Sequence, residues 1–209
     1  MSLPRIIADT PLAENINQLL EGKVEILPWD TPAGEEDNLI EGIYTYGHVA
    51  VDDPLMERFP GLKVISNYGV GVDHIDLDAA QDRTIPVGNT PDVLNGATAD
   101  MAMALLLAAS RRLIEGDTFA RSPEFTYYDP GYMLGREAHS STIGIIGLGR
   151  IGLQIARRAG GFDMTILYHN RTERTDLPEE IDARYVSMDE LLGQSDYVIL
   201  SCPLTAETE

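Results

Sequence analysis

The sequence is poor in cysteine and in lysine, and it lacks any long apolar run. A single cysteine, Cys202, excludes an internal disulfide and suits a reducing compartment. The longest apolar stretch, residues 101–109, is too short to cross a bilayer. The opening residues, MSLPRIIADT, do not have the charged and apolar regions of a signal peptide. We therefore expect a cytoplasmic protein with no membrane partner.

Basic side chains are scarce throughout the chain. Lysine and arginine number 15 against 34 acidic residues, which gives a formal charge of −19, and Lys23 and Lys63 are the two lysines. Nucleic acids and anionic lipids need clustered basic residues, so neither is an expected partner. The acidity itself fits either solubility at high salt or an ordinary solvated surface.

Strands and helices alternate along the first part of the 209-residue chain. Apolar runs predict strands at residues 5–8, 24–27, 40–45, 62–66 and 85–88, with helices at 11–20, 53–59 and 77–81 between them. This alternation is typical of a parallel sheet with helical crossovers. It predicts an α/β domain over residues 1–95.

A second α/β domain is predicted over residues 96–209. A helical region opens at Thr90 and Pro91, and its apolar residues run nearly all round between 97 and 109, as at a domain junction or subunit interface. A further helix at 115–121 and an irregular stretch at 122–141 precede strand, helix and strand up to residue 168, then a helix at 188–192 and a strand at 197–201. These elements supply one half of a Rossmann-type dinucleotide-binding fold.

The apolar run at residues 143–146 leads into Gly147, Gly149 and Gly152, which open an amphipathic helix pattern. In this G-x-G-x-x-G spacing the first glycine permits a tight turn, the second a close approach to a pyrophosphate, and the third close packing of helix on strand. The helix N-terminus adds unpaired N–H groups and a partial positive charge. The pattern predicts dinucleotide binding; the alternative is an ordinary strand–turn–helix.

Cofactor choice is predicted at the end of the next strand. NAD selectivity usually needs an acidic residue roughly 20 positions past the glycines, whereas this chain has Asn170, Arg171 and Thr172 there. Arg171 could pair with a 2′-phosphate, so NADP(H) is favoured over NAD(H). The alternative is that Arg171 is a solvated loop residue and NAD binds with less selectivity.

A second glycine-containing loop, NYGVGVDHID, follows the predicted strand at 62–66. Backbone N–H groups just past a parallel strand suit anions, so Val70 and Gly71 could bind a substrate carboxylate. Equally, the segment could be a structural turn in which Asp73 or Asp76 caps the following helix.

Four stretches together resemble the D-isomer-specific 2-hydroxyacid dehydrogenases: LKVISNYGVGVDHIDLDAA, VGNTPDVLNGATADMAMALLLAASRRL, TIGIIGLGRIGLQIARRA and VILSCPLTAET. The YHNR segment is most similar to the NADP-using glyoxylate/hydroxypyruvate reductase branch. The resemblance implies a flavodoxin-like substrate domain followed by a dinucleotide-binding domain. Asp100 departs from the pattern, since the family more often has Glu there, and we expect little effect.

The resemblance also implies site residues. Val70 and Gly71 would bind the substrate carboxylate through their backbone. The cofactor would be contacted by Thr98 at the nicotinamide end, by Gly147, Leu148, Gly149, Arg150, Ile151 and Gly152 at the pyrophosphate, by Asn170, Arg171 and Thr172 at the adenosine, and by Cys202, Pro203 and Thr208. Cys202 is equally explicable as a small buried residue.

The resemblance implies no catalytic residue within this 209-residue sequence. The family's arginine, glutamate and histidine follow the CPLTAET motif, and none of His48, His74, His139 and His169 occupies the matching position, so each is interpreted as a surface or turn residue. No metal site is expected either.

The resemblance predicts an oxidoreductase that transfers a hydride between NAD(P)H and a small 2-keto or D-2-hydroxy acid of the glyoxylate or hydroxypyruvate type. These 209 residues alone would be inactive. The alternative function is a non-catalytic NAD(P)-binding or dimerisation module. The apolar helix and the resemblance both favour a homodimer.

Overall fold

The computed structural model describes residues 2–34, 39–205 and 208. The chain divides into two compact units, Met1–Val93 and Leu94–Glu209. Each unit has a parallel sheet of its own, which confirms the predicted α/β class. The assignment of a substrate role to residues 1–95 and a cofactor role to 96–209 stays a prediction.

The first unit is built on a five-stranded sheet in the order β2-β1-β3-β4-β5. This order is that of the flavodoxin-like fold. Its buried core includes Ile7, Ile43, Phe59 and Ile65. The elements are β1 (Arg5–Ala8), α1 (Glu14–Leu20), β2 (Glu25–Pro28), β3 (Ile40–Thr45), α2 (Asp53–Arg58), β4 (Val64–Asn67), α3 (Leu77–Asp82) and β5 (Val87–Gly88).

The second unit has a four-stranded parallel sheet in the order β8-β7-β6-β9. The strand order reverses at β6, so β8, β7 and β6 form the first half of a Rossmann-type fold. The strand predicted at 197–201 as the third of this half is β9, which lies on the other side of β6, beyond the switch point. The elements are α4 (Asn95–Ser110), α5 (Leu113–Ala120), β6 (Thr142–Ile146), α6 (Arg150–Gly160), β7 (Thr165–His169), β8 (Ala183–Tyr185), α7 (Met188–Gln194) and β9 (Tyr197–Leu200).

The structure corrects the prediction at a missed strand and at the start of the long helix. The strand β8 was missed, because its three residues, Ala-Arg-Tyr, carry no apolar pattern. The long helix begins at Asn95 rather than at Thr90, because Asp92 has a left-handed φ of 70° and Thr90 bonds back to the preceding loop. Most other boundaries move by one to three residues, as helix and strand ends commonly do.

Helix α4 packs on α6 along one side. Ala99, Met103 and Leu106 of α4 are buried, and Arg158 of α6 donates to the Asp100 carboxylate at 2.6 Å. The opposite side of α4 is exposed, with Leu105 62% accessible. The expectation of burial on most sides is therefore not met within this chain. None of the helices that the structure describes is long and apolar enough to span a bilayer.

Candidate functional site

The glycine loop (residues 147–152) joins β6 to α6 at the carboxyl edge of the second sheet. Gly147 has a φ of +98°, which side chains rarely adopt. A Cβ at this position would also stand 2.7 Å from the backbone N of Cys202, at the end of β9. Because the nearest atoms all belong to the backbone of Ser201 and Cys202, no rotamer change could relieve the clash. Gly147 is therefore required for the turn and for the approach of β9.

The other two glycines of the loop differ in their surroundings. A Cβ on Gly152 would overlap the carbonyl oxygen of Gly147, so its absence lets α6 pack close to the strand. No heavy atom lies within 4 Å of a Cβ built on Gly149, the N-cap of α6. This open space adjoins the N-terminus of α6, whose partial positive charge suits the pyrophosphate of a dinucleotide.

The glycine loop is held by two residues that follow β7. Asn170 accepts a hydrogen bond from the backbone N of Leu148 at 2.6 Å, and Arg174 donates to the Leu148 carbonyl at 3.1 Å. Arg174 also binds both carboxylate oxygens of Asp176, which holds the pKa of that carboxyl below its usual value. Sequence reasoning missed Arg174 and Asp176, whose one signal is an opposite-charge pair in a loop.

The strand β8 organises the end of β7. The Tyr185 hydroxyl donates to the Asn170 carbonyl at 3.2 Å. The His169 Nδ1 lies 2.9 Å from the Val186 carbonyl, and the imidazole stacks on Tyr185. Asn170 is thus brought to the glycine loop, while Arg171 and Thr172 lie exposed just beyond it.

The remaining predicted cofactor contacts are dispersed in the second unit. Cys202 is half-buried next to Gly147, and the preceding Ser201 hydroxyl is buried with no hydrogen-bond partner among the described residues. Pro203 is tied to Thr208, whose hydroxyl donates to its carbonyl at 2.7 Å. Arg150 and Ile151 begin α6, and Thr98 lies exposed in α4.

In the first unit, asparagines shape the loop after β4, called here the asparagine-held loop (residues 68–71). Buried Asn67 donates to the carbonyls of Gly69 and Gly71, at 2.9 and 2.7 Å. Asn89 donates to the Val70 carbonyl at 2.8 Å. With the carbonyls engaged, no hydrogen bond from the Val70 or Gly71 N–H reaches another described residue.

The structural alternative for this segment also has support. Asp76 accepts a hydrogen bond from the Ala79 N–H at 2.9 Å and caps α3. Of the two aspartates in the alternative, Asp76 is therefore the one that forms the cap. The cap lies five residues past Gly71 and leaves the asparagine-held loop itself unchanged. A helix cap and an anion-binding loop are therefore compatible in this segment.

The sequence model of the D-isomer-specific 2-hydroxyacid dehydrogenase family, NAD-binding domain, matches residues 103–209, which is half of the chain. The chain belongs to this family. The match includes β6, the glycine loop and β9, so the second unit contains the Rossmann-type NAD-binding domain of this family.

Related proteins extend the similarity across both units. A glyoxylate reductase of Pyrococcus furiosus is 41% identical over 98% of this chain and 64% of its own length. The NADPH-dependent glyoxylate/hydroxypyruvate reductase of Sinorhizobium meliloti, solved with NADP and malonate, is 32% identical with a TM-score of 0.82, over 99% of this chain and 64% of that one.

A D-lactate dehydrogenase of Aquifex aeolicus, solved with NAD and lactic acid, gives a TM-score of 0.82 at 28% identity, over 97% of this chain and 62% of its own. The chain thus spans less than two thirds of the length of each of these relatives. Both dinucleotides are found among these structural relatives, so the fold by itself does not choose between NAD and NADP.

The histidines of the chain differ in environment. His48 and His139 have exposed side chains, as expected of surface residues. His74 is half-buried, and its Nε2 lies 3.3 Å from the buried Thr45 hydroxyl. Burial, more than the neighbouring His48, lowers the pKa of His74. The interpretation as a surface or turn residue therefore misses how firmly His74 is packed.

Proposed function

We propose that the complete protein is an NADPH-dependent reductase of small 2-keto acids such as glyoxylate or hydroxypyruvate. The observation that carries this proposal is the glycine loop, with open space at Gly149 and an asparagine in place of the usual acid after β7. The names of the relatives support the substrate class.

NADPH would supply the hydride, and the second unit would hold it. Leu148, Gly149, Arg150 and Ile151 are proposed to contact the pyrophosphate at the N-terminus of α6. Since Asn170 Oδ1 already accepts from Leu148, its amide nitrogen would face the adenosine ribose, with Arg171 and Thr172 at the 2′-phosphate. Gly147 and Gly152 shape the loop, and the proposed contacts are completed by Thr98, Cys202, Pro203 and Thr208.

The asparagine-held loop is proposed to bind the substrate carboxylate through the N–H groups of Val70 and Gly71. Reduction of a keto group also needs a cation at the developing alkoxide and a general acid. We propose that these groups, an arginine and a histidine oriented by a glutamate, lie outside the present 209 residues, so that this segment alone does not turn over substrate.

The test is NADPH oxidation by the complete protein with glyoxylate, hydroxypyruvate and pyruvate. We expect turnover of glyoxylate or hydroxypyruvate, whereas failure with all three would refute the reductase assignment. If NADPH still bound in that case, a non-catalytic binding module would replace it.

A pair of glycine variants tests the cofactor site separately. Gly149→Ala and Gly193→Ala each add a methyl group with no heavy atom within 4 Å, so both proteins should fold. Only the first methyl group enters the proposed pyrophosphate space, and we expect Gly149→Ala to weaken NADPH binding by at least about tenfold. Equal NADPH dissociation constants for the two variants would place the cofactor elsewhere.

We also propose that the exposed side of α4 is a homodimer interface. Met101 and Leu105 are 61% and 62% accessible, and Leu113 and Ile114 of α5 are also exposed. Large exposed apolar side chains concentrated on neighbouring elements commonly mark a surface that a partner covers. Leu105→Glu should halve the mass measured by light scattering, whereas Leu19→Glu, at an equally exposed position on α1, should leave it unchanged. A wild-type monomer would disprove the dimer.

A further inference from the structure

A group of metal-ligating side chains in the first unit is not used by the proposed reaction. His48 follows β3, and Asp73 and His74 follow the asparagine-held loop. One ligand atom from each of these three residues lies within 4.8 Å of the others. The two imidazole rings are 4.6 Å apart between centroids.

Hydrogen bonding around Asp9 fixes the direction of a short relay. The Asp9 carboxylate accepts from the backbone N of Tyr46 and of Gly47, at 2.9 and 2.7 Å. It also accepts the proton of the Thr45 hydroxyl at 3.1 Å. A hydroxyl has one proton to donate, so the Thr45 oxygen acts as an acceptor toward its other neighbour.

That neighbour is the Nε2 of His74, at 3.3 Å. Since Thr45 accepts there, Nε2 carries the ring proton, and Nδ1 of the neutral ring is left with a lone pair. The Nδ1 atom is buried and has no hydrogen-bond partner among the described residues. A buried acceptor without a partner is costly, and a bound cation would satisfy it.

The relay has the form of a metal site's outer shell. A metal-ligating histidine commonly donates its second ring N–H to a hydrogen-bonded group, which fixes its tautomer and orientation. Here the His74 Nε2–H, the Thr45 hydroxyl and the Asp9 carboxylate form such a chain. His48 and Asp73 have exposed side chains, so they can turn toward a common ion without disturbing the core.

We propose that His48, Asp73 and His74 bind one divalent transition-metal ion of the zinc type. Two imidazoles and one carboxylate are a ligand set that suits Zn²⁺ or Ni²⁺ rather than Mg²⁺ or Ca²⁺. Three protein ligands leave a further coordination position for water. This site departs from the expectation that the chain binds no metal, and it does not depend on the reductase assignment.

Zinc binding to the complete, chelator-treated protein tests the site directly. Competition with a chromophoric zinc chelator should give one equivalent of tight Zn²⁺ per chain. His48→Ala and Asp73→Asn change exposed side chains and should fold, and each should weaken zinc binding by at least about tenfold. Magnesium at equal concentration should not displace the zinc.

His139→Ala is the matched control, because His139 faces Asp163 at 3.5 Å in a similar exposed pair outside the three-residue group. It should bind zinc as the wild type does. Nitrogen NMR should show zinc shifting His74 Nδ1 while Nε2 keeps its proton. Unchanged zinc affinity in His48→Ala, an equal loss in His139→Ala, or an unshifted His74 Nδ1 would each overturn the proposal.

Discussion

The two glycine-containing loops of this protein stand in similar places and are built differently. Each follows a parallel strand at its carboxyl end. In the glycine loop, Gly147 and Gly152 are packed against backbone atoms. In the asparagine-held loop, a Cβ on Gly69 would have its nearest neighbour at an ordinary 3.5 Å, and Asn67 and Asn89 hold the carbonyls instead.

This difference determines which substitutions destabilise each loop. A loop shaped by backbone contact cannot accept a side chain at the contact, because backbone atoms cannot move aside. A loop shaped by side-chain hydrogen bonds tolerates an added methyl group where the spacing is ordinary, as at Gly69, and instead depends on the donors that hold it. Substitution of glycine should therefore break the first loop, and substitution of asparagine the second.

The largest effect is expected from Gly147→Ala. The variant combines a left-handed φ with a Cβ 2.7 Å from the Cys202 backbone nitrogen, and we expect a loss of about 4 kcal/mol in the free energy of unfolding. Urea denaturation measures this loss. Gly69→Ala is the control and should lose less than about 1 kcal/mol. Similar losses in both variants would remove the distinction between the loops.

A smaller effect is expected from Asn67→Asp. The substitution keeps the shape of a buried side chain but replaces a donor to two carbonyls with an acceptor, at a cost of about 3 kcal/mol. The same change at exposed Asn89, which holds a single carbonyl, should cost about 1 kcal/mol by urea denaturation. A larger loss at Asn89 would contradict the role given to Asn67.

The smallest effect concerns cofactor choice. Asn170→Asp keeps an oxygen for the Leu148 N–H and adds the charge that usually favours NAD, so the KM ratio of NADPH to NADH should rise about tenfold. Asn170→Ala removes the oxygen and should raise both KM values. An unchanged ratio in Asn170→Asp would count against NADPH preference.

Much of this arrangement could be predicted from the sequence. Apolar runs and their spacing placed eight of the nine described strands, because buried parallel strands are short and apolar. The G-x-G-x-x-G spacing predicted the glycine loop, since only glycine meets its steric demands. The parallel α/β class followed from the alternation of strands and helices.

The remainder depends on contacts between residues distant in the chain. The strand β8 is recognisable by its pairing with β7, not by its composition. Arg174 reaches Leu148 across 26 positions, and Thr45 reaches Asp9 across 36. No local pattern carries such information. The identity of the contacts of Thr98, Arg171 and Thr172 stays a prediction.

Asn170 constrains how the end of β7 can evolve. Its side-chain oxygen holds the Leu148 N–H, while under the proposed function its other terminal atom faces the ribose. A lineage that changes its dinucleotide must keep the oxygen that holds Leu148 and alter the terminal atom that faces the ribose. Exchange between amide and carboxylate meets both demands in one substitution, whereas replacement by a smaller residue costs the loop its support. We therefore expect selection to retain Asn or Asp at position 170 in preference to smaller side chains.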